Sequence, residues 1–301
     1  MVFKPIQAQK LAADLLAIGI RKGAIVNVKA SLRSIGKMAN GADTLIDALK
    51  SVVGEDGTII TDSFVLVYPL GSKQYKMQIV DQMTPSYAGA LANAMISHKN
   101  SERSFHPVQK FALIGKRAKE LAENHDENSY AYDILRIIAE TGGVNLKIGP
   151  DETVPGVGTS HVAIGLANIK QKIAKLGVKH ITKDGEIKDF IVNWSGGCVK
   201  AFYNLNELYN NTAGAVLGRG MVGNAPAKLT DMKKTLSAEL EYIRKDPAGF
   251  LKCSDPECFT CSLTWEISHE SFLKYFTRML IRGKWRKAIY ARKIFSFSYP
   301  Y

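Results

Sequence analysis

Three features are scarce or absent in this sequence: cysteine, long apolar runs and a leader-like N-terminus. Four cysteines in 301 residues are too few for a disulfide framework in a chain of this length, so we expect a reducing, cytoplasmic environment. No stretch reaches the roughly 18 apolar residues of a membrane-spanning helix. The first ten residues have no apolar segment behind a basic patch, so the sequence predicts no secretory signal. These absences argue against a disulfide scaffold and an integral membrane protein.

Acidic residues are also in deficit. The chain has 40 Lys and Arg against 28 Asp and Glu, a net charge of +12 with neutral histidines, and such an excess favours anionic partners. Residues 271–301 contain eight basic residues and no acidic one, which leaves a net charge of only +4 for the first 270 residues. The body of the protein is therefore only mildly basic. A content of 46% hydrophobic and 23% charged residues is typical of a globular fold.

Helix-like and strand-like segments alternate through the first 170 residues. This alternation indicates an α/β fold with a mostly parallel central sheet flanked by helices. A Lys-Asp-Gly-Glu turn at 183–186 predicts a small antiparallel insertion at 180–194. We expect one domain at 1–251 and a C-terminal appendage at 252–301. Helices are predicted at 7–22, 43–53, 84–97, 116–124, 130–140, 162–170 and 229–244, and strands at 24–30, 57–64, 109–115 and 143–149.

The first loop that can carry chemistry follows the first predicted strand. It contains Ser31 and Arg33, and a helix is expected to begin near Ala42. A strand, polar loop and helix in this order suit a phosphate group, because backbone N–H groups, the helix dipole and a guanidinium all attract negative charge. A surface loop that caps a helix has the same pattern, and the pattern alone favours that alternative.

Two later loops contain histidine. Arg103, Ser104 and His106 lie within four residues of one another and are suited to bind an anion or to hold a proton acceptor, with an exposed connecting loop as the alternative. His161 enters a predicted helix, whose dipole lowers its proton affinity and favours the neutral base needed to deprotonate an amine. A lone histidine is more often structural, so His161 alone does not decide for catalysis.

Six short motifs occur in a fixed order along the chain. They are Lys29-Ala30-Ser31-Leu32-Arg33-Ser34-Ile35-Gly36, Asp56-Gly57-Thr58, Thr84-Pro85-Ser86, Arg103-Ser104-x-His106-Pro107, Gly143-x-x-Leu146-x-Ile148-Gly149 and Thr159-Ser160-His161. In this order they resemble the aminoglycoside 3-N-acetyltransferase family, and the resemblance covers about residues 7–251. Several motifs in matching order are a stronger signal than any one of them alone.

The resemblance implies an acyl-CoA-dependent N-acyltransferase with the family's own α/β fold, distinct from the common GNAT acetyltransferase fold. It implies that a neutral amine attacks the thioester directly, with acetyl-CoA or another acyl-CoA as co-substrate and no metal. By position, His161 is the expected base that deprotonates the amine, and Thr159 and His106 are expected to bind the acceptor. The residues expected to hold the coenzyme are Ser31, Leu32, Arg33, Arg103 and Ser104.

Two positions depart from the family's pattern. The family commonly has His-Ser-Ser-Leu after its first strand, whereas this chain has Lys29 and Ala30 before Ser31 and Leu32. The family's histidine usually precedes a glutamate by three residues, but here that position is Ile164, and the Thr–His interval is one residue shorter than usual. Without a carboxylate beside it, the histidine is expected to have a lower proton affinity. Carboxylates that can take the glutamate's place are Asp151, Glu152 and Asp189.

The appendage contains a Cys-x4-Cys-x2-Cys motif formed by Cys253, Cys258 and Cys261. Close thiols of this kind are compatible with zinc, with Cys198 or His269 as the fourth ligand. A strong zinc signature has two paired Cys-x2-Cys motifs, and this chain has one. The sequence therefore favours reduced structural thiols and no metal.

Residues 271–301 combine basic with aromatic side chains. A basic, aromatic, amphipathic segment suits the interface of an anionic membrane. A terminal helix that packs its aromatic residues onto the domain is an equal alternative. We expect a cytoplasmic protein, with peripheral contact at the inner face of the membrane as one option. Nucleic-acid binding is not expected, because no nucleic-acid motif accompanies the charge.

The leading functional expectation is N-acetyl transfer to an amino sugar that is nucleotide- or lipid-linked, as in cell-surface polysaccharide synthesis. The missing glutamate at position 164, more than the mildly basic charge of the body, disfavours a polycationic acceptor. The alternative is an aminoglycoside 3-N-acetyltransferase that confers antibiotic resistance. A second alternative is a catalytically silent scaffold that binds coenzyme or membrane. The oligomeric state is open, with a homo-oligomer as one option.

Overall fold

The sheet at the centre of the fold is mixed, with parallel pairing in its middle. The computed structural model describes residues 4–289 except 152, 155, 173–175 and 193–196. The strands are β1 (Ile25–Ala30), β2 (Thr58–Asp62), β3 (Tyr68–Pro69), β4 (Ile79–Val80), β5 (Ser101–Arg103), β6 (Phe111–Gly115), β7 (Val144–Ile148), β8 (Leu176–Ile181), β9 (Ile187–Ile191), β10 (Val216–Val222) and β11 (Ala225–Asp231). The central sheet has the order β10-β11-β7-β1-β2-β6-β5. β1 pairs in parallel with β2 and β7, and the pairs toward both edges are antiparallel.

Helices connect most of these strands. They are α1 (Ala8–Ile18), α2 (Leu32–Ile35), α3 (Ala42–Val53), α4 (Lys73–Met77), α5 (Ala90–Ser97), α6 (Ala118–Glu123), α7 (Asp133–Glu140), α8 (Thr159–Leu166), α9 (Leu205–Asn211), α10 (Met232–Lys245), α11 (Pro247–Leu251), α12 (Phe259–Leu263) and α13 (Phe272–Ile281). A 3-10 helix at Val199–Asn204 precedes α9. These helices cover both faces of the sheet.

The two faces are built by side chains that alternate along the strands. On β2, Ile59 belongs to a core with Leu45 of α3, whereas the next residue, Ile60, belongs to a core with Leu135 of α7 and Val162 of α8. Successive side chains of a strand point to opposite faces, so a sheet covered on both sides needs apolar residues at every position. This arrangement confirms the predicted α/β class with flanking helices.

A second, smaller sheet lies over the loops that follow β2. Its strands β8 and β9 form an antiparallel hairpin, with Gly177 opposite Ile191 and Ile181 opposite Ile187. This hairpin is the antiparallel insertion predicted at 180–194. β3 and β4 pair with β8, so the segment between β2 and α5 is held against the hairpin.

Several predicted boundaries were wrong. The first helix ends at Ile18 rather than at residue 22, because Gly19 takes a left-handed conformation with φ 113° and closes it. The helix predicted from residue 84 begins only at Ala90, since Ser86 is held in an irregular turn by a 2.8 Å bond to the carbonyl of Phe64. Leu229 lies in β11, whose hairpin with β10 the sequence analysis missed.

Some aromatic and basic side chains of the appendage contact other residues of the appendage. Tyr275 and Met279 of α13 are buried in a small cluster, and Arg278 forms an ion pair with Glu270 at 2.7 Å. In the described part of the chain, no helix has the length and apolar character needed to cross a bilayer. The end of the predicted basic segment, residues 290–301, lies outside the described residues, and peripheral membrane contact stays a prediction.

Candidate active site

A cavity of about 510 Å³ opens where β1 and β2 end and α8 begins. Open α/β sheets bind their ligands at the carboxyl ends of the parallel strands, so this is the expected place for a site. Lys29 and Ala30 of β1 and Thr61 and Asp62 of β2 form one side. The aromatic residues that line the cavity are Phe64, Tyr87, Tyr132, Phe190 and Phe202.

His161 reaches this cavity from the first turn of α8. Its ring stacks on Tyr132, with centroids 4.4 Å apart, and meets Phe202 edge-on at 5.3 Å. The Tyr130 hydroxyl donates a 2.9 Å hydrogen bond to the His161 carbonyl, which fixes this turn of the helix. Desolvation and the nearby Lys29 ammonium lower the pKa of His161 to about 3. The imidazole is therefore neutral at physiological pH.

Lys29 and Asp62 form an ion pair in the same cavity, with Nζ 3.0 Å from Oδ2. The other carboxylate oxygen, Oδ1 of Asp62, is buried and accepts no hydrogen bond from any described residue. The sequence analysis named Lys29 in the first motif and as a departure from the family's pattern but gave it no role, and it missed Asp62. An acidic residue at the carboxyl end of a buried strand, Thr58–Asp62, was the signal that pointed to it.

The residue at the position of the family's glutamate does not line the cavity. Ile164 is fully buried in the core formed by α7, α8 and α10. Asp151 is paired with Lys147 and accepts a hydrogen bond from Asn206. Asp189 lies on the exposed hairpin, where the Tyr75 hydroxyl donates to it. Both described candidates for the missing acid are thus engaged elsewhere, and Glu152 lies outside the described residues.

His106 lies in the wall of the same cavity. Its Nδ1 accepts hydrogen bonds from the backbone N–H groups of Val108 and Gln109, at 3.2 and 2.9 Å. Desolvation, followed by the neighbouring His125 ring and Lys110, lowers the pKa of His106 to about 3. The neutral ring therefore carries its proton on Nε2, so His106 is a hydrogen-bond donor rather than a base.

Arg103 and Ser104 lie behind the cavity wall. The three nitrogens of the Arg103 guanidinium donate to the side chain and carbonyl of Ser63 and to the carbonyls of Gln82 and Thr84, at 2.6–3.2 Å. Ser104 is fully buried, and its hydroxyl accepts from the Phe111 N–H at 2.9 Å. Both residues thus hold together the loops that form the cavity, and their predicted contact with the coenzyme stays a prediction.

Ser31, Leu32 and Arg33 follow β1 at the edge of the cavity, next to the lining residue Ala30. Ser31 caps the short helix α2, since its hydroxyl lies 2.8 Å from that of Ser34 and accepts from the Ser34 N–H at 3.4 Å. The Arg33 side chain is exposed. The predicted strand, polar loop and helix are present, and Arg33 is accessible to a charged ligand.

Thr159 begins α8 but faces away from the cavity. It is fully buried, and its hydroxyl lies 3.4 Å from that of Thr235 on α10. Beside it, the Tyr209 hydroxyl donates to the Glu239 carboxyl, and burial raises the pKa of Glu239 to about 8. Thr159 was predicted to bind the acceptor, but it lies behind α8 because this buried polar cluster holds it there.

A family model described as aminoglycoside 3-N-acetyltransferase matches residues 28–244. The chain belongs to the aminoglycoside 3-N-acetyltransferase family. Every described residue that lines the cavity lies within the matched segment. Membership confirms the resemblance found from the motifs.

Relatives of this family are similar to the chain at low identity. Aminoglycoside N(3)-acetyltransferase VII of Streptomyces paromomycinus is 29% identical over 167 residues, which are 50% of this chain and 58% of that protein. Aminoglycoside N(3)-acetyltransferase III of Serratia marcescens is 24% identical over 263 residues, 79% of this chain and 97% of that protein. The chain thus spans less than two thirds of the Streptomyces enzyme but nearly all of the Serratia enzyme.

Solved structures of the family have the same fold. AAC-VIa bound to sisomicin is 25% identical, with a TM-score of 0.68 over 80% of this chain and 98% of that one. AAC-IIIb in a binary complex with CoASH is 22% identical, also with a TM-score of 0.68, over 80% and 97%. The predicted family fold is therefore confirmed.

Proposed function

We propose that this protein transfers an acetyl group from acetyl-CoA to an amine of an aminoglycoside-type amino sugar. The observation that carries the proposal is the position of His161, neutral and stacked on Tyr132, in a large cavity at the carboxyl ends of β1 and β2. The family match includes this whole cavity wall. One family relative is bound to CoASH and another to sisomicin, which supports both substrates.

His161 takes the role of base in this proposal. The acceptor amine attacks the thioester carbonyl, the new C–N bond forms, and the C–S bond breaks as coenzyme A leaves. A ring nitrogen of His161 accepts the proton that the amine loses, and positioned general bases contribute about 10²–10⁴-fold to such reactions. With a pKa of about 3, His161 needs no prior deprotonation, so the acceptor amine alone must lose its first proton.

The coenzyme and the acceptor approach from different parts of the wall. Ser31, Leu32 and Arg33 border the cavity where β1 ends, and the exposed Arg33 is assigned to the coenzyme's phosphates. The Nε2–H of His106 is assigned to a hydroxyl of the acceptor. Arg103 is assigned a positioning role, because its guanidinium is occupied by carbonyl oxygens of the loops at 63 and 82–84.

The comparisons favour the aminoglycoside alternative over our leading expectation of a nucleotide- or lipid-linked acceptor. The curated relatives described above are named for aminoglycosides. One observation keeps a less cationic acceptor as the second candidate. Asp62 is the only carboxylate among the described lining residues, and Lys29 pairs with it, so these residues offer no excess negative charge to a polycation.

Release of coenzyme A from acetyl-CoA tests the proposal. The panel contains an aminoglycoside with several amines, a simple monoamino sugar and a nucleotide-linked amino sugar. The proposal expects the aminoglycoside to have the highest kcat/KM, with turnover lost in His161→Ala. Faster turnover of the monoamino or nucleotide-linked sugar contradicts the aminoglycoside assignment and favours the second candidate. Absence of turnover with all three contradicts the enzymatic proposal itself.

A further inference from the structure

Four thiols from two separate segments of the chain converge beside the cavity wall. Cys198 precedes the 3-10 helix, whereas Cys253, Cys258 and Cys261 come from the appendage. Their four sulfur atoms all lie within 4.8 Å of one another. All four thiols are free, and no pair forms a disulfide. This arrangement brings together every cysteine of the chain.

The spacing of the sulfur atoms fits tetrahedral coordination. Cys258 Sγ lies 3.7 Å from Cys198 Sγ, and Cys261 Sγ lies 3.6 Å from Cys253 Sγ. A zinc–thiolate bond of about 2.3 Å in a tetrahedral site puts two sulfur ligands about 3.8 Å apart. The observed separations are therefore close to the edges of a tetrahedron around one ion.

The groups around the four sulfur atoms also suit a thiolate site. The backbone N–H of Cys253 donates a hydrogen bond of 3.3 Å to the sulfur of Cys261. Such N–H groups around the ligands orient metal-bound thiolates and reduce their charge. Lys252 immediately precedes one ligand and Lys200 follows another by two residues, so cations flank a site that carries net negative charge when four thiolates hold one Zn²⁺.

We propose that Cys198, Cys253, Cys258 and Cys261 bind one structural zinc ion. Four protein ligands leave no open position for substrate, which is the property of a structural rather than a catalytic zinc site. The sequence analysis favoured reduced thiols because the chain has one Cys-x2-Cys motif, although it named Cys198 as a possible fourth ligand. It offered His269 as an alternative fourth ligand, but the structure fills that position with Cys198.

The site connects the appendage to the acyltransferase body. Gly197 and Val199, on either side of Cys198, line the cavity together with Phe202, whose ring meets His161. The buried Trp265 of the appendage packs against Gly197. An ion held by Cys198 and three appendage thiols therefore fixes the segment that carries this wall. Zinc acts on the cavity by positioning Phe202, and it takes no part in the chemistry.

Metal analysis of the purified full chain tests the zinc site without using any acceptor, so its outcome is independent of the proposed function. The chain is isolated under reducing conditions, and zinc, iron and free thiols are measured against protein. The expected result is one zinc per chain, with the four thiols protected from a thiol reagent until the metal is removed. Four reactive thiols without metal, two disulfides, or one iron per chain each overturn the proposal.

Variants separate metal binding from general damage to the fold. Cys198→Ser and Cys258→Ser are expected to lose zinc and to unfold at lower temperature, whereas Ser254→Ala, an exposed neighbour in the same loop, keeps its zinc. Cobalt offers a readout that does not depend on these variants. Added to the metal-free chain, Co²⁺ is expected to give the strong thiolate-to-metal absorption of a tetrahedral four-sulfur site. Absence of that absorption, or full zinc content in both serine variants, contradicts the site.

Discussion

Lys29 and Asp62 form an ion pair, 3.0 Å from Nζ to Oδ2, at the ends of two neighbouring parallel strands. Because β1 and β2 end at the same edge of the sheet, the pair lies in the cavity that also contains His161. The Lys29 ammonium helps to lower the pKa of that histidine, and it neutralises the single carboxylate among the described lining residues. The pair thus contributes, after desolvation, to the low pKa of His161, and it reduces the negative charge of the cavity wall.

Replacing Lys29 by methionine is expected to change both properties. Without the ammonium, the pKa of His161 rises and Asp62 is free to attract a cationic acceptor, so KM for a polycationic aminoglycoside falls. The variant is less stable by about 1–3 kcal/mol, because a partly buried carboxylate loses its partner. KM and urea unfolding measure the two effects. The double variant Lys29→Met/Asp62→Asn is the control, and a low KM that persists in it contradicts this account.

Replacing His161 by asparagine is expected to lower kcat by about 10²–10⁴-fold and to leave acetyl-CoA binding intact. His98→Asn is the matched control, since His98 lies at the end of α5 and not in the cavity. Steady-state kinetics and coenzyme binding by calorimetry measure the difference. Equal loss of activity in both variants contradicts a role for His161 as base.

The pH dependence of kcat/KM is expected to follow the acceptor rather than His161. Because the pKa of His161 is about 3, the imidazole stays neutral from pH 5 to pH 8 and produces no rise in rate there. The rate rises with pH only as the acceptor amine loses its proton. Two acceptors with different amine pKa values are therefore expected to give two different acid limbs. A shared limb near pH 6–7, the ordinary range of histidine, contradicts the assigned protonation state.

Glu239 is expected to make the protein less stable as pH rises. Burial raises its pKa in the folded state to about 8, above its ordinary value of 4.5. Its contribution to stability is therefore complete below about pH 4.5 and is lost as pH rises through 8. Glu239→Gln cannot ionise and is expected to lack this loss. Urea unfolding from pH 5 to pH 9 compares it with the control Glu241→Gln, an exposed glutamate of the same helix. Equal pH dependence in the two variants contradicts the assignment.

Arg103→Lys is expected to destabilise the protein by about 1–3 kcal/mol, because a lysine cannot satisfy the carbonyls of Ser63, Gln82 and Thr84 together. If KM for acetyl-CoA rises, the cause is that the loops are held less firmly. A lower melting temperature is therefore expected together with the higher KM. A raised KM for acetyl-CoA with unchanged stability instead indicates direct contact of Arg103 with the coenzyme.

Local patterns predicted much of the fold, since the strand–loop–helix around Ser31 and the hairpin at 180–194 depend on neighbours in sequence. His161 was found because a motif places it at a helix start. Asp62 was missed because its place in the site depends on the ion pair with Lys29, and Lys29 lies in another strand. The sequence left Cys198 and His269 as alternatives for the fourth ligand, since only the tertiary fold brings Cys198 to Cys253. The buried hydrogen bonds of Arg103 depend on the tertiary fold in the same way.

The central claim is acetyl transfer to an aminoglycoside amine with His161 as base, and the product itself tests it most directly. The purified chain is incubated with acetyl-CoA and an aminoglycoside, and the product is analysed by mass spectrometry and NMR. We predict a gain of one acetyl group on a single amine nitrogen, formed by the wild type and by His98→Asn but greatly slowed in His161→Asn. An unmodified aminoglycoside in all three reactions, or equal product from all three, would contradict the claim.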